Sequence, residues 1–442
     1  MDKKTVFSLF LAVSLNAMSL EETIERALAQ NNSLKKVVLS KDEAKYNKEA
    51  KKSQNYGRFD LKVDYDHFNK ARTLAPLTPM DIVSSPTGAY EMPTTNDLIT
   101  AGVAYNVVLF DGFAQQNSYK ISDLAYKNSM LKIKLAKEEL IYNVRSLYLS
   151  LLALQEQLEA QTRYVASQKK LYEYVQKEYE LQSKSKLDLL EAKNSYTEAL
   201  SVKEKIVANM EILKATLAKM IAEESFDKAE EVEVNFEEAR GSETGIEELS
   251  RFKLAEFSKS IAQKKLESVK SLYYPKIDLS AYYGQSMGPN ATTNTFPATG
   301  VTYLKKGDFN SENLWQIGVH LKWNIYDFGV RSSSVQKEKI ALIKSKIDID
   351  DVKLELVKGL KIAKSKLSLA KADYTSLKSR FELLVEIEKA QTIKYKNDAL
   401  SLTDLLDTKA KTALVYAKMI ASMYEYQKAK YYIDYLLEKG EK

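Results

Sequence analysis

The chain is 442 residues long, with 45% hydrophobic residues, 29% charged residues and a formal net charge of +6. This charge is small for the length, and Lys and Glu are interspersed rather than clustered, so the sequence does not predict a nucleic-acid-binding surface. The chain has no cysteine, which excludes disulfides, thiolate metal sites and cysteine catalysis.

Residues 1–19 have the features of an export signal. Lys3 and Lys4 precede a short apolar run, and the small residues Ala17 and Ser19 offer two cleavage points. The run is shorter than the roughly 18 apolar residues that a membrane-spanning helix needs. We therefore expect an exported protein of a Gram-negative-type envelope, cleaved after Ala17 or after Ser19.

Residues 20–56 are predicted to form an amphipathic helix that leads into two β-strands, 59–68 and 98–110. In the first strand Phe59 and Leu61 point to one face and Asp60 and Lys62 to the other, an alternation typical of a half-exposed strand. The second strand alternates in the same way. The linking residues 69–97 are rich in Pro, Thr and Asn and are predicted to be a long exposed loop.

Two long segments contain almost no helix-breaking residue: 113–240 has neither Gly nor Pro, and 330–439 has only Gly359. Their apolar residues keep a heptad spacing, which predicts two coiled-coil hairpins. Each hairpin has a helix of roughly 70 residues, about 105 Å long at 1.5 Å per residue, and a second, shorter helix. The predicted bounds are about 111–181 with 187–221, and 327–397 with 402–438. The acidic residues 222–245 are predicted to be a solvated connector.

A second strand pair, 277–286 and 315–326, follows a helix in residues 246–273 and contains a loop at 287–313. Trp315, Ile317 and Val319 share one face of its last strand, and the opposite face is polar or small. An apolar outer face and a polar inner face are typical of a membrane β-barrel. A soluble antiparallel sheet with one buried face is the alternative.

The chain also repeats itself. The segment from Val103 to Asp111 aligns with Val319 to Asp327, and Ser185-Lys-Leu-Asp188 aligns at the same offset with Ser401-Leu-Thr-Asp404. A repeat of this length is not a solenoid module. It predicts an internal duplication, with a first repeat at 20–221 and a second at 246–442.

Four strands per chain are too few for a membrane barrel, because the smallest known barrels have eight. An open sheet edge in lipid would also leave backbone groups without hydrogen-bond partners. If the strands cross a membrane, several chains must share one barrel.

The signal segment, the opening Leu20-Glu-Glu-Thr-Ile-Glu-Arg-Ala-Leu28 and the duplicated order of strands and hairpins resemble the TolC-type outer-membrane efflux protein family over essentially the whole mature chain. The resemblance implies a mainly α fold with a small β part. It implies a homotrimer whose twelve strands form an outer-membrane β-barrel, continued by a long α-helical periplasmic barrel. It also implies a passive conduit, served by a periplasmic adaptor and an inner-membrane pump of the resistance-nodulation-division or ABC type. A type I protein-secretion conduit of the same fold and a periplasmic coiled-coil scaffold are the alternatives.

Asp404 and Asp407 are three residues apart at a predicted helix start, so they share a face. Helix capping is one interpretation of Asp404. The resemblance implies another, because both positions match the family's acidic ring at the closed tunnel entrance. In a trimer six carboxylates would converge there, attracting cations and impeding anions.

The resemblance implies a polar latch that holds this entrance shut. Tyr395 matches its aromatic member and Asp188 its acidic partner, while Glu191 is the first-repeat equivalent of Asp407. The family's basic residue falls on Leu400, so that bond is absent, and Lys394 or Lys396 would have to compensate.

The two hairpin tips are predicted to dock the adaptor, with two simple polar turns as the alternative. The predicted docking residues are Gln182, Ser185, Leu187, Asp398, Ser401 and Thr403.

No enzyme activity is predicted, because the sequence has no nucleophile–base motif and no phosphate-binding loop. His67 and His320 are the only histidines, too few for a metal site. No cofactor is predicted.

Overall fold

The structure is a computed structural model that describes residues 18–76, 93–234, 236, 245–295, 300–397 and 399–440. Most of the predicted signal segment, and the predicted docking residue Asp398, lie outside the described residues. The helices are α1 (Leu20–Gln30), α2 (Asn32–Ser53), α3 (Ala114–Glu180), α4 (Lys186–Ile221), α5 (Ser250–Lys270), α6 (Val330–Lys396) and α7 (Leu402–Leu436). The strands are β1 (Arg58–Thr73), β2 (Thr94–Phe110), β3 (Lys276–Pro289), β4 (Asn294–Thr295), β5 (Thr302–Leu304) and β6 (Phe309–Lys322).

The predicted fold class is confirmed, since the chain is mostly helical with a four-stranded antiparallel sheet. The long helices α3 and α6 have 67 residues each, as the repeat predicts. By its internal contacts the chain divides into two compact units. The helical unit contains the described parts of Met1–Lys41, Asn128–Glu256 and Asp348–Lys442, and the sheet unit contains those of Asp42–Lys127 and Phe257–Ile347.

The sheet unit is built on the strand order β1-β2-β3-β6, so β1 and β6 are the two edges. The pairing register places Leu61 opposite Val103, Val103 opposite Tyr283, and Tyr283 opposite Trp315. This row lies on one face, where Leu61 is 78% exposed, Tyr283 67% and Trp315 74%. The neighbouring residues in the register turn to the other face, so the described residues leave one apolar face of the sheet exposed.

Strand β6 ends at Lys322, four residues before the predicted end at Tyr326. Its partner β3 begins at Lys276, opposite Lys322, so the following residues have no strand to pair with. The guanidinium of Arg331 instead donates to the carbonyls of Asn324 (2.7 Å) and Ile325 (2.9 Å). These side-chain hydrogen bonds take the place of the backbone hydrogen bonds that a neighbouring strand would make.

The loops between paired strands are shorter than predicted. Strand β1 continues to Thr73 and β2 starts at Thr94, inside the segment predicted as the first loop. In the second loop the short strands β4 and β5 pair with each other. Residues 77–92 and 296–299 lie outside the described part of the chain.

The core of the helical unit forms where α1, α3 and α4 pack together. Val144 and Leu151 on α3 meet Leu217 and Ile221 on α4, and all four are buried, together with Leu20 on α1. Burial of such side chains stabilises the fold by roughly 1.5–3 kcal/mol each. The heptad pattern of α3 therefore faces this core as predicted.

The connector is less solvated than its charge predicts. Phe226 and Ala229 are buried in the same core, and the ring of Phe236 stacks between Tyr374 (4.5 Å) and Tyr426 (5.0 Å). The prediction of a solvated connector is wrong for these residues, because their apolar side chains pack inward while the carboxylates in the described part of the connector remain exposed or partly exposed.

The hydroxyl of Tyr148 forms hydrogen bonds that link the connector to Met18, the first described residue. The side chain lies on α3 and is fully buried; its hydroxyl donates to the carbonyl of Met18 (2.6 Å) and accepts from the N–H of Glu230 (2.7 Å). Burial raises the pKa of this hydroxyl, and the nearby carboxylates of Glu230 and Glu21 raise it further. The group is therefore neutral at physiological pH and available as a donor.

We predict that Tyr148→Phe lowers the free energy of unfolding by about 1–2 kcal/mol, because it removes the hydrogen bonds that the buried hydroxyl makes with the carbonyl of Met18 and the N–H of Glu230. Denaturant unfolding followed by circular dichroism measures the change. Tyr172→Phe is the matched control, since the Tyr172 ring stacks on Tyr196 and keeps this contact. Equal stabilities for the two variants would contradict the predicted role of Tyr148.

Candidate functional site: the hairpin tips

The first tip turn, residues 181–185, joins α3 to α4. Its Gln182 has a left-handed backbone (φ 62°), and the N–H of Ser183 donates to the carbonyl of Glu178 (2.9 Å). This geometry ends a helix and usually carries glycine, because a left-handed backbone costs other residues about 1–2 kcal/mol. Gln182 thus occupies a turn position that favours glycine.

Helix α4 begins with a capping box. Ser185 accepts a hydrogen bond on its Oγ from the N–H of Asp188 (3.1 Å), and the carboxylate of Asp188 accepts from the N–H of Ser185 (2.8 Å). The two bonds satisfy backbone donors that the first turn of a helix leaves open. The hydroxyl of Ser185 and these backbone bonds lower the pKa of Asp188.

The second tip turn, residues 397–401, has the same construction. The N–H of Ala399 donates to the carbonyl of Lys394 (2.8 Å), and Ser401 accepts from the N–H of Asp404 (3.1 Å). The Ser401 hydroxyl donates to the carboxylate of Asp404 (2.6 Å). Asp404 therefore sits in the first turn of α7, exposed, and Ser401 rather than Asp404 is the capping residue.

Asp407 lies one turn further along α7 and is paired. Its carboxylate is 2.6 Å from the Nζ of Lys411, and this hydrogen bond raises the pKa of Lys411. The pair is nearly half exposed, so its contribution to stability is small. The ion pair matters more for the local charge, because Lys411 compensates the negative charge of Asp407 and leaves that of Asp404.

The start of α7 is held against α3. Leu405 and Ala410 are buried, and the Ser167 hydroxyl on α3 donates to the carbonyl of Leu406 (3.2 Å). Beside this contact an open groove of 1220 Å³ lies between α3, α6 and α7, lined among others by Ala160, Phe381 and Tyr416. The two hairpins thus contact each other next to Asp404 and Asp407, with the groove beside this contact.

The predicted latch residues are not brought together within one chain. Tyr395 is 38% exposed, and no hydrogen bond among the described residues joins it to Asp188, whose carboxylate is bound to its own helix start. Glu191, Leu187 and Gln182 are exposed, and Thr403 is partly exposed. A latch through Tyr395 remains a prediction for the assembled protein.

Two features of the tips were not predicted, although the sequence carries their signals. The Ser-x-x-Asp spacing at Ser185 and Ser401 is that of a capping box. The spacing of Asp407 and Lys411 is that of an ion pair on one helix face. Among the described residues no group of carboxylates and histidines has the arrangement of a metal site.

Residues 23–223 match the family model described as outer membrane efflux protein. The matched residues make up a little under half of the chain. The resemblance that the sequence predicts is thereby confirmed. No curated protein sequence matches the chain.

Solved structures of bacterial membrane proteins share the fold over nearly the whole chain. A membrane protein from Pseudomonas aeruginosa is 14% identical, with a TM-score of 0.74 over 95% of this chain and 91% of its own. The Campylobacter jejuni CmeC outer membrane channel is 16% identical, with a TM-score of 0.70 over 95% and 86%. The open Neisseria gonorrhoeae MtrE outer membrane channel is 14% identical, with a TM-score of 0.68 over 95% and 89%. At these identities the likeness shows the fold.

The efflux-protein fold extends through the second repeat, which the family model does not cover. The matched family is one of efflux proteins, and CmeC and MtrE are outer membrane channels, which is consistent with a protein that is not an enzyme. None of the helices in the described ranges combines the length and the hydropathy needed to span a membrane.

We predict that Asp188→Ala speeds amide hydrogen exchange in the first turn of α4, because the capping box is lost. The folded chain lowers the pKa of this carboxyl, so the capping contribution is present above its ordinary pKa and is lost as the pH falls through the lowered one. Exchange mass spectrometry at neutral pH measures the effect.

Glu191→Ala removes an exposed carboxylate from the same helix and is the matched control. Equal exchange in the two variants would show that the capping box does not hold the first tip turn.

Proposed function

We propose that the chain is the outer-membrane channel subunit of a tripartite export system, and that it acts as a homotrimer. The observation that carries this proposal is the four-stranded sheet, with its uncovered apolar face and its two long edge strands. Exposed apolar patches of this extent are unusual on soluble monomers, and unpaired edge strands invite pairing with another chain. Lipid covers the face, and neighbouring copies pair the edges.

Closure of the barrel follows from the strand order. Because β1 and β6 are opposite edges of one sheet, β6 of each copy pairs with β1 of the next, a head-to-tail contact that closes into a ring. Three copies supply twelve strands, within the range of known outer-membrane barrels. The number three and the continuation of the helices into the periplasm come from the family resemblance.

The tips supply the gate. Asp404 is exposed at the start of α7, and Asp407 lies one turn further along, so three copies present a ring of three unpaired and three Lys-paired carboxylates. Such a ring attracts cations and slows anions. Opening separates the hairpins at the contact between Ser167 and Leu406, beside which the groove already divides α3 from α7.

Docking of a periplasmic adaptor at the two tip turns is part of the same proposal. The exposed residues Gln182, Ser185, Leu187 and Ser401, with the partly exposed Thr403, are the candidate contacts. The adaptor connects the channel to an inner-membrane pump that supplies the energy, because the chain itself has no recognised nucleotide-binding motif.

Fractionation and reconstitution test the proposal. We expect the protein in the outer membrane, extractable only with detergent, with the mass of three chains, and forming channels in planar bilayers. Extraction by salt as a monomer would contradict the proposal and favour the periplasmic scaffold.

We predict that Asp404→Ala combined with Asp407→Ala lowers the cation selectivity of the channel and weakens its block by multivalent cations. Single-channel recording in planar bilayers, with reversal potentials in a salt gradient, measures both. Glu224→Ala combined with Asp227→Ala is the control, since it removes two exposed carboxylates from the connector. If the tip variant and the control have unchanged selectivity and block, the acidic ring is not the gate.

A further inference from the structure

Met18, the first residue that the structure describes, is part of the helical unit. Met18 forms a parallel bridge with Ala229 of the connector, its N–H donates to the carbonyl of Lys228 (2.9 Å), and its carbonyl accepts from the N–H of Glu230 (3.3 Å). The hydroxyl of Tyr148 donates to the same carbonyl (2.6 Å). Both the N–H and the carbonyl of Met18 therefore form hydrogen bonds.

The next residue, Ser19, is the N-cap of α1. Its hydroxyl accepts from the N–H of Glu22 (3.2 Å), and its carbonyl accepts from the N–H (3.0 Å) and the Oγ1 (2.7 Å) of Thr23. Thr23 is fully buried, and Leu20 is only 2% exposed. Without Ser19 the helix loses its cap, and the buried Thr23 hydroxyl loses its acceptor.

We propose that the export leader is removed between Ala17 and Met18, and that the new α-amino group of Met18 completes the contact with the connector. The sequence alone does not decide this, because Ala17 and Ser19 also have the spacing of small residues that suits cleavage after Ser19.

The charge of the new terminus distinguishes the two cleavage points. An α-amino group has a pKa near 8 and is mostly protonated at neutral pH. Cleavage after Ser19 places this ammonium on the buried Leu20, at the positive end of the α1 dipole, where desolvation and the dipole both oppose it.

Cleavage after Ala17 places the ammonium on Met18, which is partly exposed. There it donates to the carbonyl of Lys228, and a charged donor strengthens such a bond. The carboxylates of Glu21 and Glu230 act on the hydroxyl of Tyr148, which touches Met18, so the surroundings of this terminus are acidic. A positive terminus fits this environment.

Intact-mass measurement and N-terminal sequencing of the protein purified from membranes test the cleavage point. We expect a chain that begins at Met18. A chain that begins at Leu20, or one that keeps the leader, would overturn the proposal, and neither result bears on the channel function.

Two further variants test the role of the terminus, with an unrelated cleavable leader joined directly to Met18 in one and to Leu20 in the other. We expect the variant that begins at Leu20 to unfold at a lower temperature and to give less membrane-assembled protein. Equal midpoints of thermal unfolding and equal yields would overturn the role assigned to Met18.

Discussion

The backbone hydrogen bonds of the two edge strands constrain everything else about this protein. Each unpaired N–H or carbonyl placed in lipid costs several kcal/mol, so a sheet with an apolar face is stable in a membrane only when its edges are paired. The main sheet of one chain has four strands, and its edge strands β1 and β6 do not pair with each other. On the proposed function, the assembly of several copies is therefore a condition for folding in the membrane.

Side chains that we propose for the gate and its latch also serve local structure at the hairpin tips. Asp188 and Asp404 both engage the serine that caps their helix, so their positions are set before any neighbouring copy is present. Asp407 differs, because Lys411 neutralises it from the next turn. The charge that a trimer would present at its entrance is accordingly carried mainly by Asp404, which is exposed and has no cationic partner among the described residues.

Much of this fold could be predicted from the sequence, for physical reasons that differ between elements. The alternation around Trp315 identifies a strand because side chains in a strand point alternately to two faces, and the absence of Gly and Pro identifies the long helices. The end of β6 could not be predicted, because it depends on Arg331 and on where β3 begins. The packing of Phe226 and Phe236 could not be predicted, because the acidic residues around them indicate a solvated segment. The latch contact predicted for Tyr395 is not made within one chain, so the structure of one chain leaves it a prediction.

Disulfide cross-linking between edge strands tests the central claim most directly, because the chain has no cysteine of its own. Asp64→Cys on β1 is combined in turn with Gln316→Cys, Gly318→Cys, His320→Cys or Lys322→Cys on β6. Asp278→Cys with His320→Cys is the control, since these residues are paired within one chain and should cross-link at the monomer mass. The account predicts that at least one edge pair gives dimers and trimers and nothing larger. Monomers alone from every edge pair, with the control pair cross-linked, would contradict it.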